Sequence, residues 1–132
     1  MKKPPAYAEF GPVFIRALIG FHLFYGNWGR LYGAGYHDFV AYMTRNHFPM
    51  PSILAYVSAG AQVVCGILFI AGLFTRPAAA VMVINFVVAL VMVHWGQIYP
   101  RQAQALIMLC TSIFLLLHGP GRVALDNVVR RR

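Results

Sequence analysis

Three long stretches without a charged side chain restrict this chain more than any other feature of its sequence. Residues 46–75, 77–100 and 102–121 contain no Asp, Glu, Lys or Arg. A helix needs about 20 mostly apolar residues to cross roughly 30 Å of hydrocarbon. Each stretch is long enough for one crossing, and a fourth apolar segment precedes them. The pattern therefore predicts an integral membrane protein.

The composition argues against a soluble domain and against a nucleic-acid partner. Apolar residues make up 60% of the chain and charged residues 11%, whereas soluble proteins average about 45–50% and about 25%. A domain of 132 residues has too little interior to bury so much apolar surface. The formal charge of +8 comes from residues that flank the apolar segments, as expected for contact with anionic lipid heads. The expected partner is the lipid bilayer.

Capping and helix-breaking residues divide the chain into four predicted spans within a single domain, residues 1–132. These spans cover about 12–33, 52–74, 77–96 and 102–118, and the last ends at a Gly-Pro-Gly sequence that terminates a helix. Residues 34–51 form an outer loop. Within it Phe39, Tyr42 and Met43 are spaced as in a short interfacial helix. The predicted fold is all-α, an integral membrane four-helix bundle.

The basic residues predict the orientation of the spans. Eight of the eleven Lys and Arg residues lie at the two termini or in the turn between the second and third spans, and three lie on the opposite side. Because cytoplasmic loops carry an excess of Lys and Arg, both termini should be cytoplasmic. We therefore expect a multi-pass protein of the cytoplasmic (inner) membrane.

The first span carries two neighbouring stripes of small and polar residues, which mark contact faces in a membrane. One stripe consists of His22, Gly26, Gly29 and Gly33, and the other of Arg16, Gly20, Asn27 and Arg30. Arg16 lies about one turn inside the membrane. We expect it to extend its side chain to the surface as an anchor rather than to act in catalysis.

A layer of polar residues near the middle of the bilayer is the candidate site. At about 1.5 Å per residue, it lies roughly 12–18 Å from the cytoplasmic surface and contains His22, Gln62, Cys65, Asn85 and Cys110. The layer fits hydrogen bonding between helices, but intramembrane polar groups are often functional. A quinone, a haem or a small substrate therefore remains an alternative. For a quinone we expect His22, Gln62 and Asn85 to bind the carbonyl oxygens, since neutral donors suit them.

The cysteines and histidines add no established cofactor pattern. A redox pair of Cys65 and Cys110 would need Cα atoms within about 7 Å, and we expect both to be packing residues. Only His22 lies at mid-depth, so a haem with two histidine ligands is not expected. No metal site is predicted, although His94 with His37 or His47 is an alternative at the outer surface.

Several sequence segments together resemble the DoxX family of small four-helix membrane proteins. They are "YGNWGRLYG" after the first span, "GILFIAGLFTRPAAA" between the second and third, and "GPGRVALD" after the fourth. The resemblance implies Arg16, Arg30, Arg76, His94, Arg122 and Asp126 as residues that match the family pattern. Family members commonly carry a glutamate where this chain has Gln62. The sequence also allows Arg122 and Asp126 to pair four residues apart on a short surface helix.

The family includes a subunit of an archaeal thiosulfate:quinone oxidoreductase and a mycobacterial protein linked to a membrane oxidoreductase complex. The resemblance therefore implies an accessory membrane subunit of a quinone-linked oxidoreductase system, which binds quinone or positions a redox partner. The alternative is an assembly or scaffold subunit with no chemistry. In either case, the expected protein contacts are partner membrane subunits or a second copy of the chain.

Overall fold

The computed structural model describes residues 10–93, 99–121 and 123–129, and within these the regular structure is entirely helical. This confirms the all-α prediction for the described residues. The helices are α1 (Gly11–Trp28), α2 (Gly33–Arg45), α3 (Pro51–Ala71), α4 (Thr75–Met92), α5 (Tyr99–His118) and α6 (Leu125–Val129), with a 3-10 turn at Gly29–Leu31 after α1.

The predicted spans correspond to α1, α3, α4 and α5. Within the described residues, α3 and α4 are long and apolar enough to cross a membrane by length and composition, and Gln102–His118 in α5 is a shorter apolar helix. The first span is shorter than predicted, because the α-helix gives way to the 3-10 turn at Gly29. The predicted end of the third span at residue 96 lies outside the described residues.

The predicted outer loop is mostly helix. Helix α2 has 13 residues and packs against α3 and against the 3-10 turn. Met43 is buried, whereas Tyr42 remains exposed. The expected apolar spacing therefore does form a helix, but a longer one than predicted, which packs on the protein.

Neighbouring long helices run antiparallel. Helix α1 packs extensively against α3, and α4 packs extensively against α5. The contacts between α3 and α4 and between α5 and α1 are smaller. The start of α1, the turn between α3 and α4 and the segment after α5 meet at one end of the molecule, here called the turn end. Helix α2 lies at the opposite end, here called the loop end.

Two glycines set the distance between α1 and α3. A Cβ atom added to Gly20 would lie 2.7 Å from the carbonyl oxygen of Gly66, and one added to Gly66 would lie 2.7 Å from the carbonyl oxygen of Gly20. The two backbones are therefore in direct contact, as small residues allow in membrane helices. The core takes side chains from all four long helices, including Leu23 of α1, Phe69 of α3, Met82 of α4 and Leu115 of α5.

Candidate functional site

Five polar side chains form a continuous hydrogen-bonded chain from the loop end into the helices. Arg30 donates to Asn27 Oδ1 over 2.9 Å, and Asn27 Nδ2 donates to Gln62 Oε1 over 2.9 Å. Gln62 Nε2 donates to Ser58 Oγ over 3.2 Å, and Ser58 Oγ donates to Asn85 Oδ1 over 2.9 Å. The chain links α1, α3 and α4, and every bond runs in the same donor-to-acceptor direction.

The middle of this chain is buried. Asn27 is 4% exposed and Gln62 is 9% exposed, while Ser58 and Asn85 are half-buried. Buried amides require hydrogen-bond partners, and Asn27 Nδ2 also donates to the carbonyl oxygen of Leu23 over 2.9 Å. The glutamine at position 62 suits the chain because its amide both accepts from Asn27 and donates to Ser58, whereas a carboxylate only accepts.

Asn85 is the last member of the chain and keeps free donors. Its Oδ1 accepts from Ser58, which directs the Nδ2 group away from Ser58. In the part of the chain that the structure describes, Nδ2 has no hydrogen-bond partner. A free amide donor among membrane helices is costly, because lipid offers no acceptor.

An apolar groove of about 460 Å³ lies between α3 and α4. It is lined by Gly60, Ala61, Val64, Cys65, Leu68, Phe74, Pro77, Ala78 and Val81. Ser58 lies three residues before Ala61 on α3, and Asn85 lies four residues after Val81 on α4. Because the two helices are antiparallel, both residues are about one turn nearer the loop end. The Ser58–Asn85 hydrogen bond therefore lies about one helical turn from the groove, on the side toward the loop end.

The structure brings together two of the three predicted cofactor-binding residues and places the third elsewhere. Gln62 and Asn85 are joined through Ser58. His22 is exposed, and its Nε2 lies 2.9 Å from Nε2 of Gln104 on α5. The reason is the rotation of α1, which turns the stripe of Arg16 and Asn27 inward and the stripe of His22 outward.

The two cysteines are separate free thiols. Cys65 is buried in the core and also borders the groove, whereas Cys110 is exposed on α5. No disulfide joins them. Among the described residues, no three His, Cys, Asp or Glu side chains are grouped so that they could hold a metal ion; His94, part of the alternative outer metal site, lies outside the described residues.

A second polar cluster, which the sequence did not predict, is centred on Arg16 at the turn end. Arg16 is 4% exposed, and its guanidinium donates to the carbonyl oxygens of Pro120 over 2.5 Å and Val123 over 2.8 Å. The expectation that Arg16 extends to the surface is therefore wrong. The segment after α5 supplies its acceptors, more than 100 residues away in sequence.

Asp126 fastens the same segment to the start of α4. Its Oδ1 accepts from the backbone N–H of Phe74 over 2.6 Å and its Oδ2 from that of Thr75 over 3.0 Å. A carboxylate at a helix N-terminus satisfies free N–H groups and complements the helix dipole. The backbone N–H of Asp126 also donates to the carbonyl oxygen of Gly72. The carboxylate thus has a partner other than the predicted Arg122, which lies outside the described residues.

A tight backbone turn makes room for this contact. Gly72 has a φ of +68°, in the left-handed region that favours glycine. A Cβ atom added to Gly72 would lie 2.5 Å from Nη1 of Arg16 and 2.9 Å from the Cβ of Ala124. The glycine therefore allows the Arg16 guanidinium and the segment after α5 to approach the α3–α4 turn.

A match to a known protein family covers most of these residues. The DoxX family model matches residues 11–95, which include Arg16, the whole Arg30–Asn85 chain and the Gly72 turn. The chain belongs to the DoxX family. An uncharacterized membrane protein of Mycobacterium tuberculosis (strain H37Rv) is 32% identical over 99 residues, which are 64% of this chain and 60% of that protein. This DoxX chain thus spans about 60% of the length of that relative. No solved structure matches it significantly.

Two sequence segments that carry the DoxX resemblance meet in space. The "GLFTRPAA" segment contains the α3–α4 turn, and the "GPGRVALD" segment supplies Asp126 and the two carbonyls that accept from Arg16. The resemblance at these positions therefore corresponds to a physical contact in this DoxX protein. The family match and the apolar helices α3 and α4 identify it as a membrane protein.

At the loop end, Arg30, the first residue of the polar chain, contacts an aromatic ring. The Arg30 guanidinium carbon lies 5.0 Å from the centre of the Phe39 ring, a cation–π contact. Partial burial raises the pKa of the Tyr42 hydroxyl, and the nearby Arg30 cation opposes this shift. Tyr42 is therefore neutral at pH 7.

Proposed function

We propose that this DoxX protein is an accessory membrane subunit of a quinone-linked oxidoreductase system. We further propose that it binds the quinone in the α3–α4 groove, with Asn85 as the hydrogen-bond donor. The link to quinone chemistry rests on the resemblance to a family that includes a subunit of a thiosulfate:quinone oxidoreductase. The observation that carries the binding site is the free amide donor of Asn85 beside an apolar groove.

A quinone fits both parts of this site. Its carbonyl oxygen accepts a hydrogen bond from a neutral amide, and its ring and hydrocarbon tail are apolar. The groove volume of about 460 Å³ is within the range of about 300–1,000 Å³ typical of small-molecule sites. Accepting from Asn85 Nδ2 would satisfy a donor that lipid leaves unpaired.

Gln62 contributes indirectly in this proposal. The Ser58 hydroxyl oxygen accepts a hydrogen bond from Gln62. The hydroxyl hydrogen of Ser58 is therefore directed to Asn85 Oδ1. This fixes the Asn85 amide with Nδ2 away from Ser58 and available to a ligand. Gln62 is thus a positioning residue, and Asn85 is the residue proposed to contact the quinone. His22 faces α5 and takes no part.

Replacing Asn85 by leucine tests the site. We expect Asn85→Leu to raise the dissociation constant of a short-chain benzoquinone about tenfold, because one hydrogen bond in a low-dielectric site is lost. Equilibrium dialysis of the protein in lipid nanodiscs measures the constant. The bundle should remain folded, because Ser58 can bond within its own helix instead.

Thr111→Val is the matched control. Thr111 Oγ1 donates only within α5, to the carbonyl oxygen of Ile107, and takes no part in the polar chain. The control should bind the quinone like the unmodified protein. Equal binding by Asn85→Leu would contradict the proposed site, and equal loss in both variants would show that the effect is not specific to Asn85.

A scaffold subunit without chemistry is the second candidate, and one observation favours it. Gln62 is bonded to Asn27 and Ser58, and His22 lies beside Gln104, as expected of polar residues that only fix helices. Purification in mild detergent separates the candidates. Quinone that copurifies near one per chain supports the site, whereas a stable complex with another membrane protein and no quinone supports the scaffold.

We propose that the turn end faces the cytoplasm in a membrane spanned by four helices. The support is the excess of Lys and Arg at the termini and the α3–α4 turn. Single cysteines at positions 3 and 45 in a cysteine-free background test this topology in intact cells. We expect a membrane-impermeant maleimide to label position 45 and not position 3; labelling of both from outside would contradict it.

A further inference from the structure

We propose that a second copy of this chain docks on the surface formed by His22 and Gln104, here called the α1–α5 face. This inference does not depend on the proposed quinone site, which lies between α3 and α4. The His22 and Gln104 side chains are both exposed. His22 lies near the middle of the predicted first span, and Gln104 is the third residue of the predicted fourth span.

The environment of the pair is apolar. Three exposed residues three or four positions from them on the same helices are largely apolar, Leu18 and Tyr25 beside His22 and Ile107 beside Gln104. A polar pair surrounded by such residues in hydrocarbon is costly unless another protein covers it, and intramembrane polar groups almost always face protein or water. The exposure of His22 and Gln104 in a single copy therefore points to a protein partner.

The hydrogen bond within the pair determines what that partner must offer. The Gln104 amide nitrogen can only donate, so the contact at 2.9 Å makes His22 Nε2 the acceptor and leaves the ring proton on Nδ1. Two donors, His22 Nδ1–H and the second N–H of Gln104 Nε2, and one acceptor, Gln104 Oε1, then remain without a partner among the described residues. If the amide is turned over, His22 Nε2–H donates to Gln104 Oε1, and His22 Nδ1 remains as an acceptor beside the two free amide N–H donors of Gln104.

A free donor beside a free acceptor is complementary to the same pair rotated by a two-fold axis. In such an isologous contact, His22 of one copy bonds Gln104 of the other, and the reverse bond forms at the same time. The surface also permits close approach, because a Cβ atom added to Gly26 or Gly29 would meet nothing within 4 Å. The chemistry of this face therefore fits a second copy of the same chain.

Energy transfer between donor-labelled and acceptor-labelled copies in lipid vesicles tests this, with the lipid-to-protein ratio varied. We expect dimers for the unmodified chain and roughly tenfold weaker association for His22→Leu or Gln104→Leu, since each leaves unpaired polar groups in both contacts. The double variant should be a folded monomer, because replacing both partners by apolar groups is nearly neutral for the fold.

Mixing the two single variants gives the decisive result. A mixed dimer keeps one of the two His22–Gln104 contacts across the interface intact. In the second contact, the leucine at position 22 of one copy meets the leucine at position 104 of the other copy. We therefore expect His22→Leu and Gln104→Leu copies to associate with each other more strongly than either does with itself. Asn85→Leu, which changes a different face, should dimerise normally.

A monomeric unmodified chain at all lipid ratios would overturn the proposal. So would dimers that both single variants leave unchanged, or a mixture that associates no better than its components. A different membrane protein bound at this face of a monomeric chain would likewise overturn it. Loss of quinone binding without loss of the dimer would concern only the α3–α4 site.

Discussion

Replacing Gly66 by alanine is expected to destabilise the fold by about 1–3 kcal/mol, the usual range for overpacking a tight interface. The added Cβ atom would lie 2.7 Å from the carbonyl oxygen of Gly20 and 2.8 Å from the backbone nitrogen of Phe24. Backbone atoms of a helix cannot rotate away as a flexible side chain can. Helices α1 and α3 must therefore move apart, which also lengthens the Asn27–Gln62 hydrogen bond.

Gly60→Ala on the same helix is the matched control. A Cβ atom at Gly60 meets nothing within 4 Å, and alanine favours a helix over glycine. Thermal unfolding in detergent, followed by circular dichroism, should show a clearly lower midpoint for Gly66→Ala and an unchanged or slightly higher one for Gly60→Ala. Equal midpoints for Gly66→Ala and the unmodified protein would show that α1 and α3 do not touch through their backbones.

Replacing Arg16 by leucine is expected to release the segment after α5 from the turn end. The carbonyl oxygens of Pro120 and Val123 lose their charged donor, at a cost of about 1.5–3 kcal/mol for each hydrogen bond to a charged group. Arg16→Lys should be only a partial substitute, because an ammonium lacks the fixed fork of a guanidinium. Hydrogen–deuterium exchange should become faster in residues 123–129 and at the start of α4.

Two further variants show whether this release is specific. Asp126→Ala removes the carboxylate that accepts from Phe74 and Thr75 and should accelerate exchange in the same regions. Arg76→Leu removes an exposed arginine whose contact with the carbonyl oxygen of Leu117 is long, at 3.4 Å, and should have little effect. Unchanged exchange of residues 123–129 in Arg16→Leu would contradict the role given to Arg16.

Sequence periodicity predicted the helices well and the rotation of α1 poorly. Apolar runs and capping residues define helix ends locally, so α3 begins one residue from the predicted start. Both stripes on α1 contain small and polar residues, and hydropathy alone does not distinguish them. The structure buries Arg16 and Asn27 and exposes His22, because the acceptors for the buried pair lie on other helices and on the segment after α5.

The candidate site was predicted in part for the same reason. Gln62 and Asn85 were expected at one depth, and Ser58 joins them; the four-residue spacing of Ser58 and Gln62 was a signal for this contact. Asn27 and Arg30, three residues apart, gave a similar signal for the loop end of the chain. Asp126 gave none, since its partners at Phe74 and Thr75 are more than 50 residues away.

The most direct test of the proposed quinone site is an experimental density map of the protein purified with native lipid. We expect the polar chain from Arg30 to Asn85 to be intact. We also expect a quinone in the α3–α4 groove, with its carbonyl oxygen within hydrogen-bond distance of Asn85 Nδ2. A groove filled only by lipid chains or by another helix, with no polar ligand at Asn85, would contradict the account.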